Sequence, residues 1–113
     1  MNRRSAYVVG LVALLTSVGT SVRAEDGANW VYGLGTYSCG KYLAARRNNA
    51  EHPYLQWVEG FLTAMDGLKS DAHPKRTDGD AITGWMDNYC REHPLEDVSN
   101  AAASLALELL QSK

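Results

Sequence analysis

The chain predicts an all-α fold: a small four-helix domain with one disulfide and an extended N-terminal arm. Three observations lead there. After residue 50, apolar residues recur at three- and four-residue spacing, the mark of amphipathic helices. The segments that carry this spacing open on prolines or aspartates, which suit helix first turns and N-caps. The two cysteines, Cys39 and Cys90, fall inside two of the helical segments, where one bridge ties the start of the fold to a point near its end.

Residues 1–24 read as a secretory signal peptide. Arg3 and Arg4 supply a positive start, Ala6 to Val18 an apolar stretch, and Val22-Arg23-Ala24 a small-residue cleavage signal. The apolar stretch is shorter than the roughly 20 residues a membrane-spanning helix needs. Cleavage near Ala24 delivers the protein to the periplasm or beyond and leaves 89 of the 113 residues. Three arginines leave with the leader, so eight basic residues then face thirteen acidic ones, a formal balance of −5. That sign gives no footprint for nucleic acid and no basic segment to hold an anionic membrane.

Residues 25–36 form an aromatic arm punctuated by Gly33 and Gly35, expected to stay extended and to lay Trp30 and Tyr32 on the helical body. The domain proper spans 37–113. A first helix runs from about Ser38 to Arg47 with Cys39, Tyr42 and Leu43 inward. A second, from Pro53 to about Leu68, has a broad apolar face and a second face of Gly60, Ala64 and Gly67, which predicts burial on two sides at the centre of the domain. Residues 69–79 form a polar loop. The third helix, about Asp80 to Arg91, is capped by Asp78 or Asp80 and carries Ile82, Trp85, Met86, Tyr89 and Cys90 on one stripe. The fourth begins near Pro94 or Asp97 and continues to about Gln111 with Val98, Ala102, Leu105 and Leu109 inward. Leu107 and Leu110 point away from that stripe and are candidate partner-binding residues.

A single bridge between Cys39 and Cys90 is the economical assignment, with an intermolecular bridge or two free thiols as alternatives. No catalytic residues are assigned: a bridged cysteine is no nucleophile, and no HxxxH, HExxH or CxxC spacing prepares a metal site. No cofactor is implied. All three histidines precede the three prolines, which places His52 and His93 at or just before helix N-termini. A protonated imidazole there opposes the helix dipole at a cost of roughly 0.3–1 kcal/mol. Glu59 and Asp66, at the edge of the second helix's apolar face, complete the candidate pH-responsive set.

Several short runs carry a family resemblance: Ser38-Cys39-Gly40-Lys41-Tyr42-Leu43, Trp57-Val58-Glu59-Gly60-Phe61-Leu62, Asp80-Ala81-Ile82, Asn88-Tyr89-Cys90, and Pro94 before a terminal amphipathic helix from Val98. In this pattern the chain resembles the small periplasmic acid-stress chaperones of the HdeA/HdeB type. The resemblance implies an all-α domain whose Cys39 and Cys90 match the family's bridging pair. It also implies a homodimer that separates and loosens at low pH, exposing apolar surface that holds unfolded client proteins. The Trp30-Val31-Tyr32 arm and the long loop around His73 depart from the pattern. A second expectation is a periplasmic immunity protein that neutralises one delivered toxin by tight binding. Both are non-enzymatic and act by protein–protein contact.

Overall fold

The computed structural model describes residues 30–68 and 71–112. The predicted leader, residues 25–29 of the arm, Lys69, Ser70 and Lys113 lie outside the described residues. Within them are four helices: α1 (Cys39–Arg47), α2 (His52–Leu68), α3 (Gly79–Glu92) and α4 (Val98–Gln111). A short 3₁₀ turn, Gly33–Thr36, precedes them. The all-α fold and its disulfide are as the sequence predicts.

Each start and stop has a local cause. Ser38 caps α1, its hydroxyl accepting from the Lys41 N–H at 3.2 Å, and the next two orphan donors of that helix find carbonyls outside it. Cys39 N–H donates to Glu96 at 2.7 Å and Gly40 N–H to Pro94 at 3.0 Å. The Pro94–Asp97 turn therefore caps α1 as well as leading into α4. A β-bridge, Ser38 to Asp97, locks the two segments together. Asp78 caps α3 by accepting from the Ala81 N–H at 2.8 Å. Asn49, in the left-handed region at φ 53°, turns the chain from α1 into α2.

In the core, α1 packs on α3 and α2 on α4, and the 3₁₀ turn rests on α2 and α4. Cys39 and Cys90 are fully buried and bonded, their Cα atoms 4.8 Å apart. Around them lie Tyr42, Val58, Met86 and Val98, all without solvent exposure.

The centre of the domain is α4, not α2. Val58 alone on α2 is buried, whereas α4 buries Val98, Ala101, Ala102, Leu105 and Ala106. The small residues that admit close neighbours are the alanines of α4. Gly60, Ala64 and Gly67 face outward, with nothing within 4 Å of a Cβ placed on either glycine.

The arm also departs from expectation. Its glycines lie in the 3₁₀ turn instead of staying extended, and it is they that dock. Trp30 and Tyr32 stay 80% and 78% exposed. The Trp57 ring packs closely on Gly35, where any Cβ would overlap it, and its indole N–H donates to the Tyr32 carbonyl at 2.8 Å. Missing side chains, not aromatic ones, make that contact.

Candidate functional site

Two features dominate the described surface: a charged clasp between α1 and α3, and an aromatic cleft beside the arm. The clasp follows from the bridge. Tyr42 lies one turn after Cys39, Asp87 one turn before Cys90, and the disulfide brings those turns together. Tyr42 donates its hydroxyl to Asp87 Oδ1 at 2.8 Å. Arg46, one turn further, forks onto the same carboxylate, from Nε at 2.9 Å and from Nη2 at 2.9 Å. Its remaining arm, Nη1, donates to Glu51 Oε1 at 2.8 Å, so one guanidinium spans α1, the α2 entry and α3.

These groups shift one another's acidity. Burial pushes the Asp87 carboxyl up, but hydrogen bonds from Arg46 and Tyr42, and the Arg46 charge, more than offset it and leave it below the ordinary range. Glu51 is also lowered, by its own backbone N–H and by Arg46, against a smaller effect of burial. Burial and the Asp87 hydrogen bond raise the Tyr42 phenol far above its usual value. The clasp is thus built on two charged carboxylates, and Tyr42 keeps its proton.

The aromatic cleft encloses about 560 Å³. Trp57, Phe61 and Met65 of α2 form one wall, Ser99, Asn100 and Ala103 of α4 another, and Trp30, Val31 and Tyr32 the rim. Trp57 and Phe61 stack with centroids 5.7 Å apart. Among the described residues no charged side chain lines it.

The candidate residues from the sequence scatter. Glu59 and Asp66 do share a shallow cleft with Leu62, Ile82 and Leu109, faced by Lys75 and Arg76 of the loop. Asp66 pairs with His73 Nδ1 at 3.0 Å, both largely exposed. His52 is the exposed first residue of α2, as expected.

His93 is not at a helix N-terminus. It is the C-cap of α3, with Nδ1 3.0 Å from the Tyr89 carbonyl and its ring stacked on Tyr89 at 4.3 Å. The Pro94–Asp97 turn separates it from α4, so the dipole repulsion expected at position 93 is absent. Leu107 is 56% exposed, whereas Leu110 is partly covered.

Sequence reading missed the clasp, although the spacing of Tyr42 and Asp87 from the two cysteines held the clue. It also missed the cleft, because the broad apolar face of the second helix gives no sign of which part of it stays open. Among the described residues no group of three or more His, Cys, Asp or Glu is placed to hold a metal ion. No helix among them is long and apolar enough to cross a membrane. Comparison with models of known families, with curated proteins and with solved structures found no match.

Proposed function

We propose that the chain is an exported, non-enzymatic protein-binding domain that acts as a periplasmic acid-stress chaperone. In this reading it is compact near neutrality, loosens at low pH and holds unfolded clients. One observation carries it: the polar clasp of α1 on α3 depends on the charges of Asp87 and Glu51. Protons remove those charges in acid, and α1 is then left to the disulfide, the backbone bonds at its N-terminus and a small core.

The mature balance adds to the effect. Near neutrality it is formally −5; in strong acid the eight basic residues and three histidines go nearly unopposed. The resemblance to the HdeA/HdeB type supports the same reading. The uncharged aromatic cleft supplies a surface on which apolar client segments stay attracted when charges change sign.

The test follows helicity, oligomer size and protection of an acid-denatured client from about pH 7 to about pH 2, the range that spans carboxylate and histidine titration. Loss of helical packing together with suppressed client aggregation is the expected result. A protein that stays folded and monomeric throughout and protects no client removes the proposal. Tight binding of one folded enzyme at neutral pH would favour toxin neutralisation instead.

A further inference from the structure

Three arginines line a single cleft between α1 and α3. Its walls are Leu43, Arg46 and Arg47, Asn49 of the turn, and Asp87 and Arg91 of α3, around about 480 Å³. Arg46 spends its donors on Asp87 and Glu51. Arg47 and Arg91 are exposed, and neither enters a salt bridge among the described residues. Arg91 donates to the Asn88 side chain and has further N–H groups to offer.

Each of these two arginines lies in the last turn of its helix, where a cation complements the dipole. That accounts for either one alone. It does not account for their convergence on one cleft in a body whose formal charge is negative. Guanidinium forks match the oxygens of phosphate and sulfate, and two on one cleft can grip the same anion.

We propose that this cleft binds a tetrahedral oxyanion of the phosphate or sulfate class on Arg47 and Arg91, with Arg46 joining as acid neutralises Asp87 and Glu51. The charged and titratable groups facing Arg46 are Tyr42 and Arg47 on α1, Glu51 at the α2 entry, and Asp87 and Arg91 on α3. Near neutrality the two carboxylates occupy Arg46 and Asp87 repels an incoming anion. Once both are protonated, Tyr42 is neutral and three positive groups remain. A carboxylate ligand would lose its own charge over the same range, whereas a phosphate or sulfate keeps at least one. The chemistry therefore selects the strong-acid oxyanion. Binding near neutrality needs only the folded cleft and stands apart from the chaperone reading; the tightening in acid needs the Cys39–Cys90 bridge to hold α1 beside α3 once the clasp is released.

The experiment titrates sulfate, which stays largely a dianion over the range, into the disulfide-bonded protein at fixed ionic strength, at about pH 7 and at about pH 3, below the ordinary carboxylate range. Arginine side-chain resonances and heats of binding are followed. Saturable binding that tightens at the lower pH is expected, with affinity falling about tenfold or more in the Arg47→Gln/Arg91→Gln protein, the loss of charge-assisted hydrogen bonds. Asp87→Asn should tighten sulfate binding at the higher pH.

A response that does not saturate, or is the same in the double variant, overturns the site and leaves the arginines as helix-end complements. General exclusion of sulfate from protein surfaces gives that unsaturating response and is separated by it. Vesicles with and without phosphatidic acid then distinguish the source. Cosedimentation lost in the double variant supports the site with a lipid headgroup. Competition by inorganic phosphate without cosedimentation supports it with the free anion.

Discussion

Asp87 concentrates more of the fold's polar bonding than its position suggests. It accepts from Tyr42 and, through two nitrogens, from Arg46, and so fixes the α1 side chains one and two turns beyond the disulfide. Its folded pKa lies below the unfolded value. Its stabilisation is therefore fully present above the unfolded carboxylate value of roughly 3.9 and is lost as pH falls through the lower folded one. Glu51, lowered in the same direction, adds to the same loss. Asp87→Asn should cost about 1–3 kcal/mol near neutrality, the range for a hydrogen bond to a charged group or its loss. The gap from the parent should then shrink as pH falls through the carboxylate range. Urea unfolding at a series of pH values reads this out, and a gap that stays constant would separate Asp87 from the acid response. Gly35 is the other residue whose identity is dictated, because Trp57 occupies the space a Cβ needs. Gly35→Ala should cost about 1–3 kcal/mol by overpacking, visible as a lower Tm and altered indole fluorescence.

The elements were legible in the sequence where one rule decided them alone. The stripe of Ile82, Met86 and Cys90 placed α3, and Ser38 and Asp78 marked the starts of α1 and α3. Reading failed where two signals competed. At His93-Pro94 the proline argued for a helix entry, but the backbone first had to close α3 and to aim the Pro94 and Glu96 carbonyls at the α1 N-terminus. That is a long-range demand no local pattern announces. On α2 the Gly60, Ala64 and Gly67 stripe was indistinguishable by spacing from a packing face, and only the alanines of α4 settled which helix is central. The clasp was hidden for a related reason, since Arg46 and Asp87 become neighbours only once the bridge fixes the crossing of α1 and α3. At this scale the open α2 face has a testable consequence. Gly60→Ala meets no neighbour, and Ala is favoured over Gly in a helix by about 1 kcal/mol, so the substitution should raise Tm. A destabilised variant would mean that this face is covered in solution by a second copy or another partner.

Over the whole molecule, two constraints of different chemistry act on one joint. The disulfide closes a separation of 51 residues, which the chain-entropy model values at about 4 kcal/mol. The clasp beside it supplies charge-assisted bonds that acid removes. Small domains are only marginally stable, so each of these two can be a large share of the total. Their effects should therefore appear together in one titration. In the oxidised protein, acid releases Arg46, yet α1 stays tethered to α3 through Cys39 and Cys90, so opening is local. In the Cys39→Ser/Cys90→Ser protein the total stability starts lower, and the same loss of clasp energy brings it to zero sooner as pH falls. Its acid-unfolding midpoint should lie at higher pH than the parent's, followed by far-ultraviolet circular dichroism. Combining it with Asp87→Asn should pull stability down near neutrality and reduce the remaining pH dependence, because one of the two clasp carboxylates that titrate is gone. If the midpoint of the double-serine protein matches the parent's, the tether does not set the limit of acid opening, and α1 must be held on the body by packing and by the Pro94–Asp97 turn that caps it.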